Sequence, residues 1–204
     1  MGTIARFDLI SLSAAYGLLH FVETGTGRGD GLAYAAASEA RFRSLRSGEI
    51  EPALADAARR RLGVDPRVRI ETAASAAFLQ EACRAIPRDE PVLFWLDAHF
   101  PGADFGIRSA AETTDATMRL PLAEELGIIA AARPEGADVI VADDLRIYVD
   151  GPFAHGNLPA NLRHLCPVRR DIGFVHAFMG ATHTVQELYE HEGYVLMLPK
   201  GTTT

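Results

Sequence analysis

The sequence predicts an α/β fold, a largely parallel sheet with helices packed on it, and three observations predict it. An apolar, strand-like run ends in a glycine-rich turn and opens a helix-forming stretch: Phe21-Val22-Glu23-Thr24-Gly25-Thr26-Gly27-Arg28-Gly29-Asp30-Gly31, then Leu32-Ala33-Tyr34-Ala35-Ala36-Ala37. Two further runs, 91–96 and 139–142, have the unbroken hydrophobicity of strands buried on both faces. Each ends in acid, at Asp97 and at the pair Asp143-Asp144. Finally, strand-like and helix-like segments alternate along the chain, as βαβ units do, and ligands of such sheets sit at the carboxyl ends of the strands.

Composition bounds the function classes. A length of 204 residues suits one domain, 1–204, with a substantial core. Hydrophobic content of 48% and charged content of 23% are ordinary for a globular chain. A net charge of −7 argues against a broad nucleic-acid-binding face, and the run Arg59-Arg60-Arg61 reads as a solvated helix face. The two cysteines, Cys83 and Cys166, have no metal-type spacing and suggest no disulfide framework, so a cytoplasmic location is expected. No apolar run reaches membrane-spanning length, so no membrane partner is expected. Asp8 interrupts the apolar part of the N-terminus, and 18–25 reads as a core strand rather than the end of a signal peptide.

Taken in order, residues 3–19 have loosely helical apolar spacing (Ile4, Phe7, Ile10), with a short strand over 7–12 as the other reading. The helix would pack over the first strand or the cleft. The first strand is expected at about 20–24 and its helix at about 30–40, with the second strand inside 41–48. Pro52 suits the first turn of the next helix. A short third strand at 68–70 leads through a loop, 72–75, into a helix over 76–85, which Ser75 would cap. The fourth strand is 91–96. The segment 102–119, rich in Ser, Thr, Ala and Asp, reads as a mobile loop over the active site. A helix over 121–133 is ended by Pro134 and Gly136, and the fifth strand follows. A second irregular segment, 145–160, leads to a short helix near 160–165. The segments 172–178 and 193–199 read as the last two strands, joined by a turn.

The glycine spacing is G-x-G-x-G, whereas the nicotinamide fingerprint is G-x-G-x-x-G, and Asp30 stands where its third glycine would be. Glu23, two residues before the first glycine, would repel a pyrophosphate and suits a cationic ligand. The pattern E-x-G-x-G-x-G after a strand resembles motif I of the class I S-adenosylmethionine-dependent methyltransferases. That resemblance implies a Rossmann-like methyltransferase fold: a seven-stranded, mostly parallel sheet with helices on both faces and an antiparallel C-terminal strand. It also implies S-adenosyl-L-methionine as cofactor. The cofactor-binding residues would be Glu23, Gly25, Thr26, Gly27, Gly29, Glu49, Ser75 and Asp97. Glu49 would grip the ribose diol from the end of the second strand, with Glu51 in reserve. The stretch Glu49-Ile50-Glu51-Pro52 resembles the E-I-D-P segment of these enzymes. Where many of them place an acid beside the adenine, this chain has Thr72-Ala73-Ala74-Ser75.

Asp97, Asp143 and Asp144 should converge on one edge of the sheet, and three close carboxylates repel unless something positive sits among them. A hard divalent cation satisfies that need. The arrangement resembles the metal-dependent O-methyltransferases of the catechol and macrolide-sugar type, which implies Mg²⁺ or Mn²⁺ on these three residues. Such a metal would lower the pKa of an acceptor hydroxyl, with Asp97 in the catalytic group and His99 as the base. The lysine that catechol enzymes carry shortly after this aspartate is absent, and position 100 is Phe. Other roles stay open: Asp143 capping a turn, Asp144 pairing with Arg146, Asp97 binding cofactor or loop backbone. His155 is a candidate substrate contact, and His176 and His183 read as structural. The expected function is O-methylation of a small hydroxylated metabolite. The alternatives are a metal-independent methyltransferase and a methyltransferase-like fold without transferase activity. Many members of the resembling group are dimers, which leaves a homodimer open.

Overall fold

The computed structural model describes residues 3–107, 109–167 and 169–201. Its strands are β1 (His20–Thr24), β2 (Ser44–Glu49), β3 (Val68–Thr72), β4 (Val92–Leu96), β5 (Val139–Asp143), β6 (His183–Leu188) and β7 (Tyr194–Pro199). They form one sheet in the order β3-β2-β1-β4-β5-β7-β6. The first five are mutually parallel, and β7 runs antiparallel to both of its neighbours. The helices are α1 (Leu9–Tyr16), α2 (Asp30–Ala37), α3 (Pro52–Leu62), α4 (Ser75–Ala85), α5 (Ala116–Arg119), α6 (Leu122–Ala132) and α7 (Gly173–Met179).

The unbroken apolar strands are explained by two cores. Val92, Phe94 and Leu96 of β4 join Ile140 and Ala142 of β5 on one face, against α4, α6 and α7. Leu93 and Trp95 join Val139 and Val141 on the other, against α1, α2 and α3. Successive side chains of a strand point to opposite faces, so a strand covered on both sides must be apolar throughout.

The chain builds outward from β1 to β3, then returns to place β4 on the other side of β1. The carboxyl ends of β1 and β4 therefore flank a switch point, where a crevice opens in folds of this kind. The strand ends press closely there. Gly25 has φ +80°, and a Cβ on it would lie 2.3 Å from the Asp97 carbonyl oxygen. Only glycine fits that approach and that backbone.

Two segments differ from the sequence reading. Residues 172–178, expected as a strand, fall mostly in helix α7, and the penultimate strand is His183–Leu188. Ile172, Val175 and Met179 are all buried at helical spacing, while β6 exposes Thr184, Gln186 and Glu187 as an edge strand does. The N-terminal helix is broken in two. A 3-10 turn spans Ile4–Arg6, and α1 begins only after Asp8, whose carboxylate accepts from the amides of Ile10 and Ser11 at 3.0 and 3.1 Å. No helix among the described residues is long and apolar enough to cross a membrane.

Candidate functional site

The crevice has two lobes that share Gly25, Gly27, Asp97 and Phe105. The first, about 100 Å³, runs past Glu49, Ile50, Ala74 and Ser75. The second, about 270 Å³, is walled by Thr3, Ile4, Glu23, Thr26 and Trp95. Gly25, Gly27 and Gly29 all have positive φ, which bends the chain tightly from β1 into α2.

Glu49 ends β2 as expected, and its carboxylate is fixed on both oxygens. It accepts from the Gly27 amide at 2.8 Å and from the Glu51 amide at 2.9 Å. Burial raises its pKa, and these two amides hold it down in part. Glu23 is wholly inside. Its one hydroxyl donor is Ser47 at 2.6 Å, and Ser47 lies 2.6 Å from Thr26 in turn. Burial, assisted by Glu49 and Asp30, pushes the Glu23 carboxyl up to about 8 despite that hydroxyl. Ser75 does not cap α4: the capping position is Ala74, without a side-chain bond. Ser75 instead lines the first lobe and hydrogen-bonds the Glu125 carboxyl of α6. The run Arg59–Arg61 is not merely solvated, since Arg61 donates to the Arg28 carbonyl and to Asp30, tying α3 to the glycine turn.

The three aspartates and His99 meet at the ends of β4 and β5. Burial first, then repulsion from Asp143 and Glu23, raises the Asp97 pKa, while burial raises that of Asp143 against the opposing effect of Asp97. Asp143 is pushed up to about 6, first by burial, with His99 opposing and Asp144 assisting. The His99 ring lies between acids: Nδ1 is 3.3 Å from Asp97 Oδ1, and Nε2 is 3.4 Å from Asp144 Oδ2. Asp144 is a non-glycine residue at φ +57°, and its Oδ1 accepts from Arg146 Nε at 2.9 Å. The fixed positive charge beside these carboxylates is thus Arg146, with the His99 imidazole placed between Asp97 and Asp144. Among the described residues no group of three or more His, Cys, Asp or Glu side chains is arranged to hold a metal ion. In this geometry the set does not fit a divalent cation, because an imidazole and a guanidinium stand where ligand oxygens would have to turn inward.

Two participants, Phe105 and Glu125, carry no expectation from the sequence, and Arg146 carries only part of one. Phe105 lies against Gly27, with the Arg28 guanidinium 5.7 Å from its ring centroid. The single aromatic between 101 and 119 was the available signal. Arg146 was considered only as a pairing partner, and its orienting of Asp144 toward His99 needs the turn geometry. Glu125 is buried in the first turn of α6 with Oε1 unpartnered, lining a void of about 10 Å³ with His99, Asp143 and Tyr148. Its carboxyl is pushed up to about 7 by burial. The segment 100–119 lines the first lobe through Phe100, Asp104 and Met118. His155 bonds Glu192 and His191 on the rim, and buried His183 bonds the Asp138 carbonyl at 2.9 Å, as a structural histidine should.

No protein-family model matches the chain, and no curated protein matches it. Solved structures do match. The SAH-bound methyltransferase PaMTH1 of Podospora anserina aligns with a TM-score of 0.58 at 15% identity, over 94% of this chain and 76% of that one. A putative caffeoyl-CoA O-methyltransferase from Staphylococcus aureus gives 0.58 at 12% identity, over 94% and 80%. The O-methyltransferase TomG from Streptomyces achromogenes, in complex with SAM, gives 0.54 at 18% identity, over 95% and 78%. At these identities the shared property is architecture, and the chain has the Rossmann-like fold of the S-adenosylmethionine-dependent methyltransferases.

Proposed function

We propose that the chain is an S-adenosylmethionine-dependent methyltransferase that methylates a hydroxyl of a small molecule. The observation that carries this reading is a cleft with acid at each end: Glu23 and Asp97 line the second lobe, and Glu49 the first. Such a lining suits a cationic ligand with a ribose diol and no phosphate. The bound cofactor supplies a methyl group on a sulfonium. This chain's residues do the rest. Gly25, Gly27, Glu23 and Glu49 would hold the cofactor in the two-lobed cleft, with Phe105 against Gly27. His99 takes the acceptor proton, and Asp97 and Asp144 stabilise the imidazolium that forms.

No step is routed through a metal. The metal-assisted reading, with Mg²⁺ or Mn²⁺ on Asp97, Asp143 and Asp144, stays second because Asp143 Oδ1 is buried with no hydrogen-bond partner. It requires His99 to leave its place between the acids.

The test is calorimetric titration of S-adenosylmethionine into EDTA-stripped protein, followed by an acceptor screen with and without Mg²⁺. Binding without metal is expected, with turnover indifferent to chelator and reduced about 10²–10⁴-fold in His99→Gln. Turnover that vanishes with EDTA and returns with Mg²⁺ favours the second reading. No cofactor binding removes both, and leaves a methyltransferase-like fold with another task.

A further inference from the structure

Residues Thr3 and Ile4 wall the second lobe, and a line of side chains that starts at Arg6, two residues on, ties their segment to the β6–β7 turn. Arg6 Nη1 donates to His191 Nε2. His191 Nδ1 lies 3.2 Å from His155 Nε2, and His155 Nδ1 lies 3.1 Å from Glu192 Oε1. The two rings meet edge to face, with centroids 4.7 Å apart. His191 holds a left-handed backbone, φ +56°, to take part.

The ends of this line fix its protons. Arginine only donates, and a carboxylate only accepts. His191 Nε2 must therefore be bare, its proton sits on Nδ1 and goes to His155 Nε2, and the His155 proton sits on Nδ1 and goes to Glu192. Every bond points from Arg6 toward Glu192. One added proton breaks this order wherever it lands. On His191 it occupies Nε2 and faces the guanidinium directly. On His155 it occupies Nε2, which then donates to His191 Nδ1 and drives the His191 proton onto Nε2, again facing Arg6.

We propose that His155 and His191 form a proton-operated latch that holds the N-terminal segment over the cleft and releases it when the pair gains one proton. Among the described residues, the charged groups facing the pair include Arg6 on the N-terminal segment and Glu190 and Glu192 on the β6–β7 turn. Arg146, which follows β5, reaches Glu192 Oε1 at 3.9 Å and also orients Asp144. The latch thus ends one side chain away from the His99 cluster. Burial, then Arg6 and His155, pull the His191 pKa below its ordinary value, against Glu192 and Glu190. The latched state favours the neutral pair, so it is closed above the ordinary histidine pKa of about 6.5 and opens as pH falls below it.

This inference does not depend on what the cleft binds, and the test needs no ligand. Trp95 is the single tryptophan. It is buried, lines the second lobe, and has the Phe7 ring 6.3 Å away. Its emission in the full chain is followed from pH 8 to pH 5, with far-ultraviolet circular dichroism as the check on folding. A one-proton red shift below about pH 6.5 is expected in the wild type. It should be absent in the double variant His155→Gln, His191→Asn, where asparagine suits the left-handed backbone. Arg6→Gln replaces the fixed charge by an amide whose oxygen accepts a proton-bearing Nε2, and should weaken the step. A flat wild-type titration overturns the latch. So does the same step persisting in the double variant, which would assign it to carboxyls such as Glu23 or Asp143, and so does an unaltered step in Arg6→Gln.

Discussion

Glu23 accepts from the Ser47 hydroxyl, and burial pushes its carboxyl up to about 8. The unfolded chain ionises it at about 4.3. The fold therefore favours the protonated form. That stabilisation is full below the unfolded value and is lost as pH rises through about 8. Urea midpoints of the wild type should fall between pH 5 and pH 8 relative to Glu23→Gln, whose amide does not titrate; parallel curves would refute the buried-acid account. A cationic ligand in the second lobe would restore the ionised form, so its binding at pH 7 should release a proton. Calorimetry in two buffers of different ionisation enthalpy reads that release, and Glu23→Gln should abolish it. The glycine turn, Glu23 and Glu49 were legible from residue type and spacing because a strand–turn–helix has few alternatives. The Asp144–Arg146 pair was open to the sequence too, but the left-handed turn at Asp144 that brings its other oxygen to His99 was not, because no local pattern announces it.

The elements follow their local chemistry where one signal dominates. α1 depends on the Asp8 cap, which satisfies two of the helix's free amides. Asp8→Ala should lower the midpoint of denaturant unfolding, and an unchanged midpoint would mean that packing of Leu9 alone sets the helix start. The strands β4 and β5 were legible because burial on both faces leaves only apolar residues. The segment 172–178 was misread because a short apolar run fits a buried strand and a buried helix equally well. Its Val175-to-Met179 spacing decides for the helix once a facing element exists, here α6, whose Gly127 lies under Phe178. β6 was overlooked for the opposite reason: an edge strand shows water its polar side, and Thr184, Gln186 and Glu187 resemble a loop.

Across the molecule, Arg133 and Asp138 stitch both halves of the sheet together. The Arg133 guanidinium, almost wholly buried, bonds both Asp138 oxygens at 2.6 and 3.0 Å and the carbonyls of Pro87 and Glu90. Asp138 in turn accepts from the Val92 amide at 2.8 Å, and its carbonyl meets His183. One ion pair thus joins the end of α6 to the starts of β4, β5 and β6. Arg133→Ala should lose about 3–5 kcal/mol in urea unfolding, since it strands a buried carboxylate. A loss below about 1 kcal/mol would show that water replaces the guanidinium. Neither residue stood out in the sequence, because a buried pair carries no mark that a surface pair lacks.

The placement of β7 between β5 and β6 has a bearing on synthesis. β6 leaves the ribosome before β7, yet β7 is the neighbour with which it pairs. Until residue 199 has emerged, β5 presents an open apolar edge and β6 has no strand to join. The nascent chain can lay down β1 to β5 in order of appearance, but closure of the sheet waits for β7. A stalled or shortened chain would carry an unpaired edge, the feature that recruits foreign strands.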